Sequence, residues 1–128
     1  MNEYLIDTHI LLWYIEGNTK LSKNIIEILD NQNNTIFLSK ASLWEISIKI
    51  SINKLKLNLP FSSLENFLKE KDFFVIDFEF SDLNILLNLP FHHNDPFDRL
   101  IISQSINLNY CLISDDPMFS LYEMNLFK

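Results

Sequence analysis

The sequence predicts an α/β fold, in which a central, mostly parallel sheet of four or five strands is sandwiched between layers of helices. Three observations carry that expectation. Short apolar runs recur along the chain at Tyr4-Leu5-Ile6, Ile36-Phe37-Leu38, Phe73-Phe74-Val75-Ile76 and Tyr110-Cys111-Leu112-Ile113. Each is too short for a helix and continuous in the way of strands buried on both faces. Between the runs lie longer segments with helical periodicity, and strands alternating with helices favour parallel pairing. Finally, 48% of the 128 residues are hydrophobic, with eleven Phe and a single Gly. That suffices for one domain over residues 1-128, burying roughly two-thirds of its unfolded surface.

In chain order, Tyr4-Leu5-Ile6 ends at Asp7 and reads as the first strand. Thr8 to Ile15 is helical, with Ile10, Leu11 and Tyr14 on one side and Gly17 as its stop. Ser22 caps a second helix with Ile25, Ile26 and Leu29 as its stripe, and Asn31 to Asn34 is a polar turn before the second strand. A helix from Ala41 or Ser42 should reach Ile50 or Ile52. Lys54 to Phe61 is a connector whose alternating Leu55, Leu57 and Leu59 need a cover. Ser62 or Ser63 begins a helix to about Lys71, and Ser81 caps another through Leu87. Asp95 is a good N-cap and Pro96 suits the first helical position. In the helix that follows, Phe97, Leu100, Ile101 and Leu108 form a core stripe, widened by Ile102 and Ile106. Arg99, Ser103 and Asn107 fall on the opposite face, expected to be wet. Pro117 to Leu121 is a helical turn, and Met124 to Phe127 an edge strand. Trp13 and Trp44 lie in apolar helical stripes and are expected in the core rather than stacking bases.

The formal charge of −7 argues against a generic nucleic-acid-binding surface, because phosphate affinity normally comes from Lys and Arg. An acidic cluster that binds divalent cations is the exception, since the ions cancel part of its charge. Cys111 stands alone in an apolar run and reads as a buried thiol in a reducing compartment. The start of the chain lacks a basic-then-apolar segment, and Asp77 and Glu79 interrupt the longest apolar run. The expectation is therefore a cytoplasmic protein with neither signal peptide nor membrane span.

Parallel sheets place ligands at the carboxyl ends of their strands, and two strands here end in acids: Leu5-Ile6-Asp7 and Leu112-Ile113-Ser114-Asp115-Asp116. The helix bearing Asp98 runs antiparallel to the fourth strand, so its start lies at the same edge. Glu45 lies in the first turns of the helix after the second strand, near that edge again. Each acid also has a plainer explanation. Asp7 could cap the next helix, Asp115 and Asp116 could be turn residues before Pro117, and Glu45 with Lys49 could be an ordinary surface pair. Asp98, on the side of Ile102 and Ser105, could complete an Asp-x-x-Asp variant of the capping box. Four acids at one edge are harder to assign to coincidence. Unneutralised like charges about 4 Å apart repel by roughly 4 kcal/mol at an effective dielectric of ~20, and a hard cation removes that penalty. All-carboxylate ligation favours Mg²⁺ or Mn²⁺ over zinc. His92 and His93 suggest a base or metal site, although in a polar loop before a helix His is more often a hydrogen-bonding or surface residue.

Four segments carry a family resemblance: Asp7-Thr8-His9-Ile10-Leu11-Leu12-Trp13, Ser42-Leu43-Trp44-Glu45-Ile46, His93-Asn94-Asp95-Pro96-Phe97-Asp98-Arg99-Leu100 and Ser114-Asp115-Asp116-Pro117-Met118-Phe119. In order and spacing the chain resembles PIN-domain ribonucleases, and among them the VapC-type toxins of bacterial toxin–antitoxin pairs. Ser103 and Ser105 depart from it, standing where small alanines are usual. The resemblance implies a PIN-like three-layer sandwich with the catalytic and metal-binding set Asp7, Glu45, Asp98 and Asp116, leaving Asp95 as the cap. It selects Asp116 over Asp115, because the family reads Thr/Ser-x-Asp and Ser114 supplies the hydroxyl. Thr8, Ser114, Arg99 and His93 are candidate supporting residues.

The expected function is an Mg²⁺-dependent endoribonuclease, with Mn²⁺ as substitute, acting as the toxin of a type II pair. The resemblance further implies products with 5′-phosphate and 3′-hydroxyl ends, a homodimer, and an antitoxin whose Arg enters the acid cluster. Leu55, Leu57, Leu59 and Phe61 are candidate antitoxin contacts. A structure-specific DNA nuclease on the same fold is the alternative, since no residue here reads the 2′-hydroxyl. A non-enzymatic phospho-receiver module ranks far below, because it needs a Lys beside the acid pocket late in the chain, and none lies between Lys71 and Lys128.

Overall fold

A computed structural model describes residues 2–127. Among them the elements run β1 (Glu3–Ile6), α1 (Thr8–Glu16), α2 (Lys23–Asp30), β2 (Thr35–Ser39), α3 (Lys40–Ser51), α4 (Ser63–Glu70), β3 (Phe74–Ile76), α5 (Phe80–Leu87), α6 (Pro96–Leu108), β4 (Cys111–Ile113), a 3₁₀ turn (Pro117–Leu121) and β5 (Leu126–Phe127). The sheet order is β3–β2–β1–β4–β5, and every neighbouring pair is parallel. The expected α/β sandwich is therefore present, with a sheet that is wholly rather than mostly parallel. No helix among the described residues is long and apolar enough to cross a membrane.

Side chains along β1 alternate between the two faces, as the strand period requires. Tyr4 and Ile6 enter a core with Ile10, Leu11, Ile25, Leu29 and Leu64, on the side of α1, α2 and α4. Leu5 faces the other way, into a core with Ile101, Ile102, Leu112, Phe119 and Tyr122. The strand order reverses direction beside β1: β2 and β3 follow on one side, β4 and β5 on the other. The crevice at the carboxyl ends of β1 and β4 is thus a topological switch point, where an open parallel sheet offers space for a ligand.

The caps explain most boundaries. Asp7 accepts from the Ile10 N–H, Ser22 from Ile25, and Asp95 from Phe97 and Asp98. Gly17 ends α1 at φ 64°, a left-handed conformation that glycine adopts without strain. Two starts differ from the sequence reading. Ser39 caps α3, accepting from Ala41 N–H, so that helix begins at Lys40. Helix α5 is capped by Glu79, not by Ser81, and begins at Phe80, because Asp82 reaches back to accept from the Glu79 N–H. Phe73 and Tyr110 lie just outside β3 and β4, and Met124 just outside β5.

The sequence misassigned three faces. Arg99 and Ser103 were expected in solvent, yet they are 6% and 0% exposed, because α5 packs over that side of α6. Leu108, expected in the core stripe, is exposed near the end of α6. Trp44, also expected in the core, is 60% exposed and meets Phe97 edge-on; Trp13 is only half-buried against the first core. Cys111 is likewise half-buried, its thiol pushed up by the burial it has. Leu55, Leu57 and Leu59 are half-buried on the first core, so the chain itself partly covers them.

Candidate active site

Asp7 follows β1 and is 3% exposed. One carboxylate oxygen accepts from the Ile10 N–H at 2.9 Å, and the other accepts from the Ser114 hydroxyl at 2.5 Å. Capping and site membership are therefore not alternatives for this residue. Burial pushes its carboxyl up, Asp116 adds to that, and the Ser114 and Ile10 hydrogen bonds and His9 oppose it. Ser114 also accepts from the Asp116 N–H at 3.1 Å, so one hydroxyl joins the ends of β1 and β4.

Asp116 opens the 3₁₀ turn, accepting from Met118 N–H with Oδ1. Its Oδ2 lies 2.9 Å from His93 Nε2, and Asp98 Oδ2 lies 3.0 Å from the same nitrogen. Asp115, next in line, is exposed. Asp95 and Asp98 separate just as clearly. Asp95 Oδ1 accepts from Phe97 and Asp98 N–H groups, while the Asp95 N–H donates to His93 Nδ1 at 3.1 Å. The reciprocal half of an Asp-x-x-Asp capping box is thus taken by histidine, and the Asp98 carboxylate turns towards the crevice. Burial raises Asp98 to about 7, reinforced by Asp95, Glu45 and Asp7 and opposed by His93. The acids do converge, and they crowd Asp98 towards holding a proton.

His93 is the residue whose part the sequence understated. With Nδ1 accepting from the backbone, its proton rests on Nε2, which faces both Asp98 and Asp116. The Tyr122 hydroxyl accepts from the His93 N–H and donates to the Pro90 carbonyl, and the Phe119 ring meets the imidazole edge-on. His92 is exposed against Tyr122 and stays outside the cluster. Arg99 supports the loop from beneath: its guanidinium donates to the carbonyls of Leu86, Leu89, Pro90 and His93 and stacks on Phe91.

Glu45, 3% exposed, forms the fourth side. The Thr8 hydroxyl donates to its Oε1 at 2.7 Å and lies 2.9 Å from Ser42 Oγ. Lys49 Nζ lies 2.8 Å from Oε2. The pair at i, i+4 does exist, but its carboxylate is buried in the site rather than laid along the surface. Lys49 is held in its charged form chiefly by that hydrogen bond, then by the fields of Glu45, Asp95 and Asp98.

This donor set fits a divalent cation. Oxygens of Asp98 and Asp116 and a nitrogen of His93 lie within 4.8 Å of one another, with Asp7 tied to Asp116 through Ser114. The carboxylates are hard oxygen donors, and their crowding favours any bound positive charge. In the arrangement observed His93 spends its Nε2 proton on both carboxylates, so the acids are the ligands at hand.

Known proteins bear on this geometry. The family model for the PIN domain matches residues 4–123. The chain is similar over 98% of its length, and 97% of the other's, to a structure of VapBC2 from Rickettsia felis bound to a DNA fragment from their promoter, with 25% identity and a TM-score of 0.74. It also shares its fold with FitAcB from Neisseria gonorrhoeae, at 13% identity, TM-score 0.66 and coverage of 98% and 96%. A toxin–antitoxin complex from Klebsiella pneumoniae aligns at 15% identity, TM-score 0.64 and the same coverage of 98% and 96%. No curated protein matches the chain.

Proposed function

The chain belongs to the PIN-domain family, whose members are nucleases that generally use divalent metal, and from that premise we propose that it is an Mg²⁺-dependent endoribonuclease acting as the toxin of a type II toxin–antitoxin pair in the cytoplasm. The observation that carries the reading is the convergence of Asp7, Asp98 and Asp116 at the switch point, joined by Ser114 and His93, with Asp98 pushed to about 7. Similarity to VapBC2 across nearly the whole of both chains supports the toxin assignment.

Asp7, Asp98 and Asp116 would hold the ion, with Glu45 completing the set; Mn²⁺ should substitute for Mg²⁺. Held by these carboxylates, a divalent ion would supply positive charge beside the phosphate and make water a better nucleophile. The chain's own residues do the rest. Ser114 fixes Asp7 against Asp116, Thr8 and Lys49 fix Glu45, and His93 Nε2–H holds Asp98 and Asp116 together.

Partners follow the same reading. We expect a homodimer bound by a protein antitoxin, which would deliver an Arg into the carboxylates. The open groove of about 710 Å³ beside Ile50, Leu55, Leu57, Leu59 and Phe61 is the candidate contact for the antitoxin chain.

The test is cleavage of a labelled single-stranded RNA with Mg²⁺, against EDTA and against a DNA of the same sequence. Mg²⁺-dependent RNA products with 5′-phosphate ends, lost in Asp98→Asn, are expected. Cleavage of the DNA alone would replace the ribonuclease by the DNA nuclease on this fold. Growth unaffected by induction of wild-type protein would remove the toxin assignment.

A further inference from the structure

His9 and Trp13 lie one turn apart on α1, with ring centroids 6.0 Å apart and tilted by 56°. They line two neighbouring cavities at once. One, of about 230 Å³, also contains Asp7, Asp115 and Asp116. The other, of about 190 Å³, is lined also by Thr8, Glu16, Lys49 and Lys54. The two rings therefore form a wall shared by the candidate catalytic crevice and the neighbouring groove. His9 is exposed and Trp13 half-buried. Lys20 lies over the indole, its ammonium 5.8 Å from the centroid.

In a chain of net charge −7 the lysines beside this wall matter, although Lys49 is already paired with Glu45. Lys49 and Lys54 border the second groove, with Glu16 as an acid at its wall, and Lys20 joins them only through its place over the Trp13 ring. Aromatic faces flanked by lysines are the chemistry of single-strand binding, in which bases stack and phosphates meet cations without sequence readout. We propose that the His9–Trp13 wall is a stacking subsite for a base adjoining the scissile phosphate of single-stranded RNA, with Lys20 and Lys54 contacting the backbone that leaves the crevice. This rests on the ribonuclease reading and assigns its substrate track. It also answers a difficulty of that reading, since the acid cluster by itself repels the substrate it must cut.

The experiment measures steady-state cleavage of a single-stranded RNA oligonucleotide in Mg²⁺, and binding of the same RNA to the Asp98→Asn protein over a range of salt. Loss of one stacked base should raise KM roughly 5- to 150-fold in Trp13→Ala, which is about 1–3 kcal/mol at 1.4 kcal/mol per tenfold, with kcat little changed. Trp13→Phe should restore KM. Because Trp13 also touches the core, His9→Ala, at an exposed position, is the second probe and should raise KM without altering the melting temperature. Lys20→Ala and Lys54→Ala should each reduce the slope of log K against log salt by about 0.7, and Lys69→Ala, on α4, should not. No RNA cleavage by wild type would overturn the ribonuclease reading and this proposal with it. Cleavage with KM unchanged in both folded Trp13→Ala and His9→Ala would overturn the proposal alone. If those variants instead escape inhibition by an antitoxin while KM holds, the groove belongs to a partner protein and the proposal also falls.

Discussion

Asp95 and Asp98 stand three residues apart in one turn, and their surroundings give them different chemistry. Asp95 is spent on two backbone N–H groups, a duty Asn performs nearly as well. Asp95→Asn should therefore keep most activity and lose only a few tenths of a kcal/mol in stability, whereas Asp98→Asn should abolish cleavage with the fold intact. A dead Asp95→Asn beside an active Asp98→Asn, measured in one cleavage assay, would reverse the assignment. The two variants also differ in their response to pH. The Asp98 carboxyl goes from an ordinary 3.8 to about 7 on folding, through burial first and then the fields of Asp95, Glu45 and Asp7. Across that interval the folded protein holds a proton the unfolded chain has released. The group's contribution to stability is complete below about pH 4 and is lost as pH rises through about 7. Asn carries no charge at any pH. In EDTA, Asp98→Asn should thus melt several degrees above wild type at about pH 8, with the gap closing towards about pH 4. A gap that does not change with pH would mean that something other than carboxylate crowding separates the two proteins.

Helix α6 shows what a sequence can and cannot reveal about an element. Its start was legible to the residue, because Asp95-Pro96 is a local signal set by backbone donors and a fixed φ. Strand polarity likewise places Asp7 and the Asp115–Asp116 pair at one edge, although only the family resemblance selects Asp116 over Asp115. Its faces were not legible, since periodicity says which residues share a side but not what packs on that side. Arg99 and Ser103 looked solvent-bound until α5 covered them. Arg99 tolerates burial because four carbonyls, Leu86 in α5 and Leu89, Pro90 and His93 in the loop after it, receive its N–H groups. His93 was obscure for a related reason: Tyr122, 29 residues further on, fixes its backbone, and no local pattern encodes that contact. The loop is consequently held to the helix by the Arg99 guanidinium, with the Tyr122 hydroxyl as its second tie. Arg99→Ala would take a donor from the Leu89 and His93 carbonyls, while Pro90 keeps the Tyr122 hydroxyl and Leu86 the Leu89 N–H, and should cost about 2–4 kcal/mol in urea unfolding. Arg99→Lys should recover only part of it, because a single ammonium lacks the planar fork that reaches several acceptors. A loss below about 1 kcal/mol in Arg99→Ala would show that water can replace the guanidinium and that the loop holds His93 by other means.

At the scale of the whole molecule, the candidate site ties together elements from both ends of the chain. Asp7 closes β1, Asp116 follows β4, and the hydrogen bond from Ser114 to Asp7 spans 107 residues. Those strands are adjacent in the middle of the sheet, with a core on each face. An ion shared among these carboxylates would have no equivalent site in the unfolded chain, so its binding should appear as global stability. A ligand specific to the folded state adds RT ln(1 + [L]/Kd), about 2.7 kcal/mol at a hundredfold excess over Kd. For a domain of this size that is a rise of roughly 8–15 °C in melting temperature. Mg²⁺ and Mn²⁺ should both produce it, through relief of the repulsion that raises Asp98 as well as through new bonds. Asp98→Asn has one ligand charge fewer and less repulsion to relieve, so it should start higher in EDTA at neutral pH and gain less from Mn²⁺. Calcium, larger and less demanding in geometry, serves as the control for screening of the overall negative charge. Shifts of the same size for Mn²⁺ and calcium, unchanged by Asp98→Asn, would mean that the ions act on the surface charge and not at the crevice.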